Sequence, residues 1–135
     1  MRLKCYDKLV RDRIPEIIRA GGNDCIARTL DADAYRARLE DKLLEEVAEF
    51  RADHGVEELA DILEVVYAAA KAWGSTPEEV EAMRMRKREE RGGFDERILL
   101  ECVRENDLRP RKVIPVELLS AVDARRTEIV DEENR

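Results

Sequence analysis

Apolar positions along this chain recur at helical, not alternating, spacing over most of its length. Leu39, Leu43, Val47 and Phe50 follow one another at intervals of four, four and three, and Leu44 and Ala48 widen that stripe. The spacing predicts an amphipathic helix of about 20 residues, capped by Asp31 or Asp33 and ending near Gly55. A second run predicts a helix over residues 56–73. Leu59, Leu63, Val66, Ala70 and Trp73 form one stripe on it, and Ile62, Val65, Ala69 and Ala72 form another beside it. A helix apolar nearly all round is buried on several sides, so the second stripe is expected to face another subunit.

Punctuation residues divide the rest. Pro15 suits a first helical turn and Gly21-Gly22 a stop, which gives a short helix over residues 15–20. Thr76-Pro77-Glu78-Glu79 reads as an N-cap, a first-turn proline and a capping-box glutamate, opening a helix that runs from Pro77 to about Arg91. Residues 25–30 and 97–103 are rich enough in Ile, Leu and Val to be read as short strands. Residues 104–114 read as a polar, basic linker, and a last helix is expected over about residues 115–130. The expectation is an all-α fold: a helical hairpin within a four-helix-bundle-type core, with irregular or β segments at the ends and a C-terminal helix. Residues 1–104 would form the domain, and 105–135 its linker and helical extension.

Composition narrows the function. The chain has 135 residues, 42% of them charged and 4% aromatic, with a formal net charge of −7. That balance argues against binding a nucleic-acid backbone, which needs a basic footprint. It does not exclude a nucleotide, because bound cations reverse the local charge of an acidic site. The three cysteines, Cys5, Cys25 and Cys102, lack CxxC spacing and fit free thiols in a reducing cytoplasm. A single histidine, His54, excludes a zinc site built on histidines. No apolar run is long enough to span a membrane, and the N-terminus lacks a signal-peptide core, so a cytoplasmic location is expected.

The chemistry-bearing pattern is a pair of acidic strings, Glu45-Glu46-Val47-Ala48-Glu49 and Glu58-Leu59-Ala60-Asp61. Positions three and four apart share a helix face, so each string presents clustered carboxylates. The short connection at His54-Gly55 folds the two helices antiparallel and brings the strings to one end of the hairpin. Like charges repel, so such a cluster is either solvated or neutralised by hard cations such as Mg²⁺ or Mn²⁺. Each string alone is commonly a solvated helix face; the facing pair is more informative and leaves a solvated cluster and a metal site both open.

EExxE followed by ExxD resembles the all-α nucleoside triphosphate pyrophosphohydrolases of the MazG-like superfamily, which includes phosphoribosyl-ATP pyrophosphohydrolase and the dimeric dUTPases. Residues 6–18, Tyr-Asp-Lys-Leu-Val-Arg-Asp-Arg-Ile-Pro-Glu-Ile-Ile, and residues 91–100, Arg-Gly-Gly-Phe-Asp-Glu-Arg-Ile-Leu-Leu, resemble one small branch of it. The resemblance covers about residues 4–103. It implies a hydrolase acting on acid anhydrides, cleaving between the α- and β-phosphates to a nucleoside monophosphate and pyrophosphate. It also implies Mg²⁺ ligands at Glu46, Glu49, Glu58 and Asp61, with Glu45 holding a second ion or the attacking water. Glu45 and Glu46 are thus the candidate catalytic pair. One departure is the short spacing between Glu49 and Glu58; Glu57 or Glu64 could share the role given to Glu58.

Phosphate is expected to meet Lys8, Arg11, Arg13, Lys42 and Arg91, each of which could equally be a surface charge. Trp73 and Phe94 could stack on a base or pack in the core. Removal of non-standard nucleoside triphosphates is the favoured activity, in a homodimer or higher oligomer. The alternatives are hydrolysis of phosphoribosyl-ATP in histidine biosynthesis and a catalytically inactive helical oligomerisation or regulatory protein.

Overall fold

The computed structural model describes residues 2–106, and the helix expected over residues 115–130 lies outside them. The described chain is all-α, in the order α1 (Ile14–Ala20), α2 (Ala32–Asp53), α3 (Val56–Ala72) and α4 (Pro77–Arg91). It divides into two units, Met1–Gly92 and Gly93–Arg135. All four helices lie in the first. Among the described residues there is no strand, so the strands expected over 25–30 and 97–103 are corrected to irregular chain. Ile26, Ile98, Leu99 and Leu100 are exposed. Aliphatic composition without a neighbouring edge to pair with does not make a strand.

Local chemistry explains the helix boundaries. The Asp31 carboxylate accepts from Ala34 N–H at 2.8 Å and starts α2. His54 ends it in a left-handed conformation, φ 51°, and donates its N–H to the Phe50 carbonyl at 2.7 Å. Gly55 follows at once as the N-cap of α3, so two residues make the whole turn. The end of α3 is a Schellman motif. Ser75 N–H donates to Ala70 O at 2.7 Å and Gly74 N–H to Lys71 O at 3.1 Å, with Gly74 at φ 88°, where a side chain would be strained. Thr76 Oγ1 then accepts from Glu79 N–H at 3.1 Å, opening α4 behind Pro77.

Helix α2 packs on α3, and α3 on α4. The buried apolar residues are Leu39, Val65 and Ala70, with Leu43, Phe50, Ile62, Ala69 and Ala72 half-buried around them. Within the single chain the two stripes of α3 share the burial: Val65 of one and Ala70 of the other are buried, and Ile62, Val66, Ala69 and Ala72 are half-buried. Leu59, Leu63 and Trp73, on the same stripe as Ala70, stay about half exposed. Helix α4 has no buried residue. Its surface is held instead by same-helix ion pairs, Arg84–Glu81 at 2.6 Å and Arg86–Glu90 at 3.1 Å.

Candidate metal centre

The inner line of α2 does not run as the sequence suggested. Leu39, Leu43 and Phe50 lie on it, but the residue between them is Glu46, buried to 5% exposure, while Val47 turns outward. Intervals of four, three and four fit a helical stripe as well as four, four and three. A carboxylate on a buried stripe is costly unless paired. Lys42, one turn earlier, supplies half of that pairing: its Nζ lies 3.1 Å from Glu46 Oε1. Glu46 Oε2 is buried and has no hydrogen-bond partner.

Beside the Glu46 carboxylate the hairpin gathers two more. One oxygen each from Glu46, Glu49 and Asp61 lie within 4.8 Å of one another. Glu49 sits one turn along α2 and is exposed, and Asp61 is half-buried on α3. The nearby Glu46 charge, above all, holds the Glu49 carboxyl above its usual range. Three of the four expected ligands therefore meet. Glu58 stands apart. It occupies the first turn of α3, and its carboxylate folds back over Gly55, so that a Cβ at residue 55 would collide with Glu58 Oε2. An acidic group suits a helix N-terminus, which explains the position. Glu57 and Glu64 are exposed and lie outside the cluster.

The expected phosphate-binding cations have other partners here. Lys8 Nζ and Lys42 Nζ both lie 3.3 Å from Glu45 Oε1. Arg11 Nη2 lies 2.5 Å from Asp61 Oδ1. Arg13 pairs locally with Glu16 at 3.4 Å. Arg91 is exposed at the last residue of α4. Glu45 is thus outside the three-carboxylate group and shared between two ammonium ions. Partial burial pushes its carboxyl up, but hydrogen bonds from Lys8 and Lys42 and their charges outweigh this and hold it below the usual range. Burial likewise pulls Lys42 down, while hydrogen bonds to Glu46 and Glu45 and their charges raise it overall.

The sequence reading missed a further tie. Arg38 donates to the Asp7 carbonyl at 3.0 Å and to its carboxylate at 3.2 and 3.3 Å. Residues 31 apart carry no local signal of pairing. Trp73 and Phe94, considered for base stacking, are 52% and 96% exposed, and neither packs in a core. Cys5, Cys25 and Cys102 are free thiols.

The two perturbed glutamates predict opposite pH behaviour. Glu45 has a lowered value in the folded state, so its contribution to stability is present above the unfolded value and is lost as pH falls through the folded one. Glu49 has a raised value, so its repulsion appears as pH rises through the unfolded value and is complete above the folded one. In metal-free protein at neutral pH, Glu45→Gln is expected to lower the urea midpoint and Glu49→Gln to raise it. Both differences should shrink toward pH 3. Parallel urea titrations at pH 7 and pH 3 check this; differences of unchanged size at pH 3 would rule out the electrostatic origin.

No family model matches the chain, and no solved structure matches it. Over 45 residues it is 62% identical to an uncharacterized protein of Mycolicibacterium smegmatis. That match covers 33% of this chain and 46% of the relative, so less than half of the relative's length is spanned. Among the described residues, no helix is long and apolar enough to cross a membrane.

Proposed function

We propose that this chain is a Mg²⁺-dependent nucleotide pyrophosphohydrolase, cleaving a nucleoside triphosphate to its monophosphate and pyrophosphate. The observation that carries the reading is the buried Glu46 carboxylate, with one oxygen unpartnered, grouped with carboxylates of Glu49 and Asp61. An oxygen-only donor set of this kind fits a hard divalent ion. The likeness of residues 6–18 and 91–100 to one pyrophosphohydrolase branch supports the choice of reaction, and favours non-standard triphosphates as substrates.

Glu46, Glu49 and Asp61 would hold the ion, with Glu58 able to join only by leaving its place over Gly55. Mn²⁺ would suit the same donors. When bound, the ion supplies charge neutralisation of the phosphates and acidifies a coordinated water. The chain's own part is geometric. Lys42 fixes Glu46 by its Oε1, leaving Oε2 for the ion. Glu45, whose carboxyl Lys8 and Lys42 hold below the usual range, would accept a hydrogen bond from the attacking water or hold a second ion. The exposed apolar side chains Leu59, Leu63 and Trp73 suit a second copy of the chain, making a homodimer or higher oligomer whose partner is otherwise the nucleotide alone.

The test is a panel of nucleoside triphosphates with and without Mg²⁺, scored for pyrophosphate and monophosphate together. Equal amounts of both, strictly dependent on the metal, are expected. Orthophosphate with a nucleoside diphosphate as first products would overturn the reading.

A further inference from the structure

Four carboxylates, Glu45, Glu46, Glu49 and Asp61, face three cations, Lys8, Lys42 and Arg11. With all four ionised, the metal-free cluster is one charge short of neutrality. One divalent ion turns that deficit into a single positive charge, which then calls for an anion. The cations are not equivalent. Lys42 belongs to α2 itself and leaves Glu46 Oε2 bare, so it can stay when an ion arrives. Arg11 and Lys8 belong to the irregular segment before α1, and each reaches the hairpin through a half-exposed side chain. Arg11 sits directly on a carboxylate of the three-oxygen group. A guanidinium and a divalent ion on one carboxylate repel each other.

We propose that Arg11 is exchanged by the metal. Without an ion, its guanidinium neutralises Asp61 and helps to hold the N-terminal segment on the hairpin. With an ion bound, Arg11 leaves Asp61 and becomes the donor that reads the phosphates of a metal-chelated polyphosphate. The exchange rests on the proposed metal site. A planar guanidinium can donate two parallel hydrogen bonds to phosphate, and release beside the ion places it where those oxygens would be. The three hydrogen bonds from Arg38 to Asp7, which involve none of the clustered carboxylates, keep the segment tethered during the exchange. Arg13, on its own Glu16, takes no part. This separates one phosphate-reading arginine from a neighbour that the sequence could not distinguish.

The experiment titrates the full chain with Mn²⁺ alone by calorimetry, then adds inorganic pyrophosphate to the Mn²⁺-loaded protein. Arg11→Gln should bind Mn²⁺ about two- to fivefold more tightly than wild type, the range open to loss of a half-exposed competing ion pair. The same variant should bind pyrophosphate more weakly, while Arg13→Gln changes neither. Opposite shifts for metal and anion are a signature that general destabilisation does not produce. In wild type, amide hydrogen exchange in residues 2–13 should quicken on adding Mn²⁺ and slow again with pyrophosphate. Equal or weaker Mn²⁺ binding by Arg11→Gln, with wild-type binding intact, overturns the exchange, makes Arg11 a positioning residue for Asp61, and leaves the metal site standing. Absence of Mn²⁺ binding in both proteins overturns the metal site and the exchange together.

Discussion

Asp61→Asn and Glu49→Gln are each expected to reduce metal-dependent pyrophosphate release by more than about 100-fold, since even outer residues of metal sites cost 10–100-fold when removed. Both side chains contribute an oxygen to the three-carboxylate group, and neither belongs to the buried apolar set. The folds should therefore survive, as judged by far-ultraviolet circular dichroism. Glu49→Gln also relieves a like-charge contact with Glu46 and should melt no earlier than wild type without metal. Glu58→Gln makes the contrast. Its carboxylate lies over Gly55, outside the group, so its loss should cost far less activity than the other two. Near wild-type turnover in either Asp61→Asn or Glu49→Gln would mean the ion is held elsewhere or not at all. A loss in Glu58→Gln equal to theirs would mean Glu58 swings into the site when the ion binds.

What was legible in the sequence follows from how local each signal is. Capping residues fixed the helix ends to within a residue or so, because Asp31, Gly74 and Thr76 act on their own backbone neighbours. The two-residue turn at His54-Gly55 forced the hairpin, and the hairpin forced Glu46, Glu49 and Asp61 together. Failures began where two answers share one periodicity. Val47 and Glu46 both complete a stripe with Leu39, Leu43 and Phe50, and hydrophobicity favours the wrong one. On α3 two apolar stripes lie side by side, and nothing in their spacing says how they share the burial. Ion pairs over long separations, Lys8–Glu45, Arg11–Asp61 and Asp7–Arg38, were beyond reach for a different reason. Only the folded path of the irregular segment brings those charges together, so cations assigned to phosphate were found on carboxylates.

Substituting Val65→Glu and Leu63→Glu should separate the fold from the assembly. Val65 is 8% exposed and Leu63 48% exposed, two residues apart on α3. A glutamate at 65 would take the place of a buried apolar side chain. An unpaired buried charge of that kind costs about 3–5 kcal/mol, a large share of a small domain's total stability. Val65→Glu should therefore lose most of its cooperative thermal transition. A glutamate at 63 can reach solvent in a single chain, and its secondary structure should persist. It is penalised only if another copy covers that face, where it would meet its counterpart or a desolvated apolar surface. Sedimentation velocity at micromolar concentration should then give a dimer or larger species for wild type and a folded 15.6 kDa monomer for Leu63→Glu. Wild type sedimenting as a monomer at every concentration would remove the second copy from the proposal. An unchanged oligomer in Leu63→Glu would place the contact on another face, with the exposed Leu44 and Val47 of α2 next to be tested.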